Sequence, residues 1–425
     1  MTVRAACTAV AQTPVRIDSV GRVDSRIPIA VPPFVAETGA QRYGENLAAV
    51  LSHDLDFTGI FTIVARNDYP PRFRGLHADA SKLDFAAWRK TPAEHLIHAA
   101  LRMEGDMVIA ECRLFDIPVA QQVVGKRLRT RSQWARLLAH QFADETVRFL
   151  TGVAGVASTE IVFSGGRQRI KEIYVADYDG GKLTQVTHHG SISIKPKFSP
   201  DGNKIAYLSY KDRYPWLYVY DRRTGVSTSL SKRPGLNHAP AWSPDGRRIA
   251  LVLSKDANTE IYIKNTDGTG EQRLTNHSAS DTSPAFSPDG RRLVFVSDRG
   301  GRAQLYLMNV DGSGVRRLSF QGGSSYDPAW SPNGKHIAYI VEKDGLGLEL
   351  WIMSSDGTGA RPLTRSMGSN ESPSWSPDSR HIAFGSSRAG LSQLYTVTVE
   401  TGVVRQVPNL THLHSEGPSW GPRRN

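Results

Sequence analysis

Four carboxylates, Asp281, Asp327, Glu371 and Glu416, each stand one to three residues before a proline, close to the start of an apolar run. Two such groups facing each other across a cleft could do general acid–base work, for instance in hydrolysis of a glycosidic bond. Their spacing selects no particular pair. Other chemistry-bearing sets are weaker. His188 and His189 are adjacent, so a strand would point them to opposite faces. His412 and His414 share a face but lack a third ligand, and no metal is expected there. The chain has no Gly-x-Ser-x-Gly elbow, Walker A loop, dinucleotide fingerprint or His-Glu-x-x-His motif. No catalytic residue and no cofactor are therefore expected, and the chain is read as a non-enzyme.

The elements that carry these residues are repeats. An aromatic residue, a small residue, proline and usually Asp-Gly recur at Phe198, Trp242, Phe286, Trp330 and Trp375, and decay at Trp420 to Trp-Gly-Pro-Arg. The spacings are 44, 44, 44, 45 and 45 residues. Behind each phrase lie apolar runs such as Ile205-Ala206-Tyr207 and Leu217-Tyr218-Val219, with shorter third runs such as Arg273-Leu274-Thr275. Their β-branched and aromatic content, bounded by Gly, Asp, Asn and Pro, reads as strands. Proline presets φ at the turn, and the following Gly accepts the left-handed conformation. A period in the forties with strand content predicts a β-propeller of four-stranded blades. The runs at Ile161, Ile173 and Gln185 lack a preceding phrase, while Pro418-Ser419-Trp420 is an orphan copy at the other end. Strands from both ends are thus expected to close a six-bladed ring and hide its edges.

In a propeller, the segment before each innermost strand lies at one mouth of the central channel. These segments are polar here and all precede proline. They contribute Asn237, His238, Asp281, Thr282, Tyr326, Asp327, Asn370, Glu371 and Glu416 as a candidate binding ring. For any single residue the plainer explanation is a turn former before proline.

The region before Ile161 lacks the repeat. Residues 27–31 and 61–64 read as strands, and 41–55 has helical spacing through Leu47, Val50, Leu51 and Leu55. Residues 95–103 and 107–115 read as a hairpin turning at Glu104-Gly105-Asp106, with 121–128 pairing next. Residues 132–150 form an amphipathic helix that Gly152 terminates. The predicted organisation is a segment 1–25, an α/β domain 26–155 and a six-bladed propeller 156–425. Within the first segment, Val15, Ile17 and Val20 alternate with polar residues, so it could add as an edge strand to a partner's sheet.

Composition narrows the class. Charged residues make up 22% and apolar ones 39%, and no apolar run approaches the length of a membrane span. Two cysteines, Cys7 and Cys112, make no disulfide framework. The net charge is +11, densest at Lys126, Arg127, Arg129, Arg131 and Arg136. No nucleic-acid module accompanies this cluster, so nucleic acid is not expected as a partner. Ala9-Val10-Ala11 has the form of a signal-peptidase site, but the apolar stretch before it is short. A truncated signal, a late start and a chance pattern remain open readings.

Both halves together resemble one family, the TolB proteins of the bacterial Tol-Pal envelope system. The resemblance rests on Val15-Arg16-Ile17-Asp18 followed by residues 27–34, on Asp54-Leu55-Asp56-Phe57-Thr58-Gly59-Ile60-Phe61, on the helix ending at Gly152, and on the six blades. Residues 70–88 depart from the pattern apart from the final Asp84-Phe85-Ala86-Ala87-Trp88, as does the terminal Pro422-Arg423-Arg424-Asn425. The resemblance implies a monomeric periplasmic interaction protein that supports outer-membrane integrity and constriction at cell division. It implies the lipoprotein Pal at the propeller mouth, with His238, Thr282 and Glu371 among the contacts, and TolA on the N-terminal segment. A hydrolase or a carbohydrate- or ligand-binding propeller is the alternative.

Overall fold

The structure is a computed structural model, and it describes residues 26–71, 77–167, 169–343, 347–365 and 368–424. The chain divides into two compact units, Met1–Ser158 and Thr159–Asn425. Val15, Ile17, Val20 and Cys7 lie outside the described residues.

In the first unit, strand Ile27–Ala30 pairs in parallel with Phe61–Ile63 on one side and His95–Glu104 on the other. An antiparallel hairpin follows, His95–Glu104 with Met107–Asp116, and Gln121–Arg131 forms the sheet edge. The hairpin turn falls at Gly105, whose φ of 60° suits a residue without Cβ. Helices Gln41–Phe57 and Arg136–Thr151 bury Leu47, Leu51, Leu55, Leu138 and Phe142. The two helices are also tied by His140 Nδ1 and Asp54 Oδ2 at 2.8 Å, with both side chains fully buried. The second helix stops at Gly152 in the left-handed conformation, φ 79°, as its sequence predicts. Cys112 is buried in Met107–Asp116, and burial pushes its thiol up to about 12. It is a core residue with no reactive thiolate at neutral pH.

The second unit is a six-bladed propeller. Each blade is a four-stranded antiparallel sheet. Numbered along the chain, blades 1 to 5 begin with the innermost strands Ser193–Phe198, Asn237–Trp242, Asp281–Phe286, Ser325–Trp330 and Asn370–Trp375. Blade 6 is shared. The C-terminal strand Ser415–Arg423 pairs antiparallel with Thr159–Arg167, and two further strands from residues 170–185 complete the sheet. The terminal departure from the family pattern has a physical use here. Arg424 makes ion pairs with Glu160 at 3.1 Å and Asp177 at 2.7 Å, holding the last residues onto the closing blade.

Turn chemistry repeats from blade to blade. In blade 1, Ser199 Oγ donates to Asp201 Oδ1 at 2.6 Å and accepts from Lys204 N–H at 2.9 Å. Asp201 accepts the Asn203 N–H at 3.1 Å, so hydroxyl and carboxylate together satisfy the turn. The same bonds recur at Ser243 and Ser287. This explains why the phrase is Ser-Pro-Asp-Gly and not merely polar. The aromatic residue packs between blades. Trp242 Nε1 donates to Lys197 O of the previous blade at 3.1 Å, and Trp375 Nε1 to Ala329 O at 2.9 Å.

Gly180 and Gly190 separate local strain from interblade crowding. Both have positive φ, but a Cβ on Gly180 would lie 1.9 Å from the Pro408 carbonyl, in the link from blade 5 to the closing strand, whereas a Cβ on Gly190 would meet nothing within 4 Å. Gly190→Ala is expected to cost about 1 kcal/mol from backbone strain alone. Gly180→Ala should cost at least about 2 kcal/mol more, because the backbone link at Pro408 must be pushed away from blade 6. Chemical denaturation of the two variants measures the difference; equal losses would mean that the contact relaxes freely.

Candidate protein-binding mouth of the propeller

Each innermost strand opens with the same three-position pattern before its proline. The first position is Ser193, Asn237, Asp281, Ser325, Asn370 or Ser415, and every one is buried. The second is Ile194, His238, Thr282, Tyr326, Glu371 or Glu416, and every one is partly exposed. The third is Lys195, Ala239, Ser283, Asp327, Ser372 or Gly417, with φ between 46° and 60° throughout. Left-handed backbone is costly for a residue with Cβ, so five non-glycine examples at one structural position mark an imposed geometry. Each is the extra residue of a bulge: the register with the neighbouring strand shifts between His238 and Ala241, Thr282 and Ala285, Tyr326 and Ala329. The bulge turns the third side chain into the channel.

This pattern divides the candidate ring. Asn237, Asp281 and Asn370 are not available to a ligand. Asn237 accepts from Ser231 Oγ at 2.7 Å and donates to Arg233 O at 2.8 Å. Asp281 takes both bonds from one Arg299 nitrogen at 2.7 and 3.0 Å. Asn370 accepts from Arg388 at 3.1 Å and donates to Leu348 O at 2.9 Å. These three lock the loops behind the mouth. His238, Thr282, Tyr326, Glu371 and Glu416 stand at the mouth itself. Asp327 lies further in, on the channel wall.

Inside the channel the third-position residues meet. A cavity of about 60 Å³ is lined by Lys195, Lys197, His238, Ser283, Asp327 and Ser372. Lys195 of blade 1 and Asp327 of the opposite blade 4 approach to 3.5 Å. Ser372 bridges them, accepting from Lys195 at 3.1 Å and donating to Asp327 at 3.2 Å. Burial alone would push the Asp327 carboxyl up, but the Lys195 and Lys197 ammoniums hold it below the usual range. Asp327 in turn raises Lys195 against the effect of burial. Burial, helped by Lys195, lowers His238, so its ring is neutral at pH 7. Glu371 is raised by burial and by the nearby Glu416 and Asp327 carboxylates, against the pull of Lys195. Glu416 is ion-paired with Lys171 at 2.6 Å.

Three members of this group, Lys195, Lys197 and Ser372, were not among the sequence candidates. The signal was present: Pro196 stands two residues before Phe198, as Pro240 stands before Trp242 and Pro284 before Phe286. Aligning on proline instead of on polar residues would have placed Ser193-Ile194-Lys195 in the ring. Lys197 is the odd residue of its own layer, where the other blades carry Ala241, Ala285, Ala329, Ser374 and Ser419. Outside the mouth, the loop of blade 1 adds an aromatic rim. Tyr214 is 62% exposed and stacks on Trp216 with centroids 5.8 Å apart, and the Lys232 ammonium lies 4.4 Å from the Trp216 ring centroid.

The fold and this mouth define a class, a two-domain protein with an α/β unit followed by a six-bladed propeller whose channel opens through a ring of polar side chains. Two family descriptions match it, the TolB amino-terminal domain over residues 15–123 and the TolB beta propeller domain over 147–345 and 323–425. The chain belongs to the TolB family. The Tol-Pal system protein TolB of Cereibacter sphaeroides is 34% identical over 215 residues, 49% of this chain and 47% of that protein. The protein of the same name from Desulfosudis oleivorans is 35% identical over 189 residues, 44% and 43% of the two chains. These alignments mean that the chain spans about half the length of the curated relatives it matches. The crystal structure of TolB from Acinetobacter baumannii superposes with a TM-score of 0.81 at 25% identity, over 94% of this chain and 97% of that one. Among the described residues no helix is long and apolar enough to cross a membrane.

Lys197 supplies a pH-dependent test of the channel. Burial, with Lys195 adding repulsion, brings its amine down to about 8. Between pH 8 and the ordinary lysine range the unfolded chain binds the proton and the folded one does not. Stability due to this group therefore rises with pH across that window and is lost as pH falls through it. Lys197→Met is expected to stabilise the protein at pH 7 by about 1–3 kcal/mol, the lower part of the range applying because Lys197 is only partly buried. The gain should vanish by the upper end of the window. Urea unfolding at pH 7 and at alkaline pH tests it; a pH-independent gain would indicate packing and not charge.

Proposed function

We propose that this protein is a non-enzymatic, monomeric component of the Tol-Pal system in the periplasm. Its propeller mouth binds the lipoprotein Pal, and residues 13–25 bind TolA by strand addition. Through these two contacts it supports outer-membrane integrity and constriction at cell division. Family membership is the ground for the system. The observation that carries the binding surface is the half-exposed second-position ring of His238, Thr282, Tyr326, Glu371 and Glu416, set on a bulged and internally braced scaffold. Such a surface is preorganised, so little ordering entropy is lost on docking. The exposed Tyr214–Trp216 rim on the same side of blade 1 adds the residue types that dominate interface energetics.

The hydrolase alternative is disfavoured by how the carboxylates are engaged. Arg299 holds Asp281, Lys195 holds Asp327 and Lys171 holds Glu416. Glu371 is left as a single raised acid without a free carboxylate as its base partner, which is a poor arrangement for general acid–base hydrolysis.

His238→Ala combined with Thr282→Trp is expected to weaken capture of the cognate Pal about tenfold or more while shifting unfolding by no more than about 0.5 kcal/mol. Calorimetry with purified Pal at moderate salt measures it, and unchanged affinity would remove these residues from the interface. Deleting residues 1–22 should abolish TolA binding and leave Pal binding intact. Retention of TolA binding by the shortened protein would refute the strand-addition role.

A further inference from the structure

The basic run of the first unit is not one patch. Strand pairing sets Lys126 opposite Cys112 on the face that carries the helices, where it reaches Glu145 at 3.1 Å. Arg127, Arg129 and Arg131 fall on the other face, opposite Glu111, Ile109 and Met107. All three are exposed. The carboxylates near them are engaged elsewhere, Glu111 with Arg113 at 3.1 Å and Glu104 with Arg102 at 2.8 Å. Arg129 and Arg131 face apolar residues across the strand pair, so no cross-strand carboxylate neutralises them. The result is a row of three like charges at successive same-face positions, about 7 Å apart.

The backbone beside that row is open. Gln121–Arg131 is the terminal strand of its sheet, and among the described residues no strand pairs with its outer side. It is 11 residues long. Its register is unbroken from Val124 to Arg131, the one shift lying at the Leu114–Phe115 end. Natural edges are commonly blunted by shortness, proline, a bulge or charged side chains, and between Val124 and Arg131 this one has only the last, a device that repels like-charged strands but would admit an acidic one. In an antiparallel edge, alternate residues point N–H and C=O away from the sheet. An extended chain added there would have the same two-residue period as the arginines. Carboxylates at its alternate positions would then meet guanidinium groups, whose planar fork suits bidentate carboxylate binding.

We propose that Gln121–Arg131 is a docking edge for an extended acidic segment of a partner protein, which adds as a further strand and sets alternate carboxylates against Arg127, Arg129 and Arg131. This role does not depend on what the propeller mouth binds. An anionic lipid surface would also attract the arginines, but it offers no strand to complete the backbone edge, so the peptide is favoured.

The test uses the full chain and a capped synthetic peptide alternating Thr and Glu. Binding is followed by calorimetry, and amide hydrogen exchange is read over residues 124–131. The alternating peptide is expected to bind and to slow exchange of alternate amides of that strand. A peptide of the same composition with contiguous glutamates, and an alternating peptide N-methylated along one edge, should both bind about tenfold more weakly or worse. R127Q/R129Q/R131Q should lose binding, and R127E/R129E/R131E should switch preference to an alternating Thr-Lys peptide. Equal binding of the N-methylated peptide would overturn strand addition, and this comparison needs no variant to fold. Failure of the alternating peptide to bind would overturn the proposal. So would arginine-dependent capture by phosphatidylglycerol-containing vesicles with no peptide binding.

Discussion

The pairing of Ser415–Arg423 with Thr159–Arg167 is the contact on which the propeller depends. Five blades are each continuous in sequence, but without Ser415–Arg423 the sixth would be a three-stranded sheet lacking its innermost strand. The last strand comes from the far end of the chain, so closure sets one long-range constraint on every blade before it. The strand is held on three sides: Trp420 N–H donates to Ser374 Oγ at 2.9 Å, the Trp420 indole donates to Thr159 Oγ1 at 2.7 Å, and Ser419 Oγ accepts the Phe198 N–H at 3.2 Å. The closing strand thereby bonds to blade 5, to its own blade and to blade 1. Arg424 then fastens the end through Glu160 and Asp177.

Once the ring is closed, its channel geometry follows from the repeated bulge. Six left-handed residues precede six prolines, and the five that carry a side chain turn it toward one axis. Non-glycine residues tolerate that conformation only because the surrounding sheet over-determines it. Sequence variation at this position then changes the channel without changing the fold. Here it yields one lysine, one aspartate and small residues, and the two charges meet across the full width of the ring. A second lysine one layer away is buried and also repelled by the first, and its amine is depressed accordingly. Fold and electrostatics are thus set by different subsets of the same repeat: proline and aromatic residues fix the scaffold, and the residues between them determine what the mouth presents.

The first unit shows the same division on a smaller scale. Its core is an ordinary helix-on-sheet arrangement closed by the buried Asp54–His140 pair. A buried pair of this kind is costly to break, because removal of one partner leaves the other without compensation. Its outer strand carries Lys126 on the helix-bearing face and Arg127, Arg129 and Arg131 on the other, since pairing register sends neighbouring residues to opposite sides.

By itself, the sequence determined the repeat, the blade count, the closure by both ends, the α/β character of the first unit and the stop of its second helix at Gly152. These are local or periodic properties, written in spacing, turn residues and hydrophobic alternation. It also marked the mouth loops as polar segments before proline. It could not rank their members. Asn237, Asp281 and His238 look equally able to bind in the chain, yet the first two are buried and saturated by Ser231, Arg233 and Arg299, and only the third reaches the mouth. A one-residue bulge decides which side of the strand each occupies, and nothing in the residue types announces it. The meeting of Lys195 with Asp327, 132 positions apart in sequence (327 − 195), exists only because blades 1 and 4 stand opposite each other in a ring of six. The basic run at 126–131 likewise reads as one cluster in the chain, and register alone splits it into a helix-facing lysine and an open row of arginines.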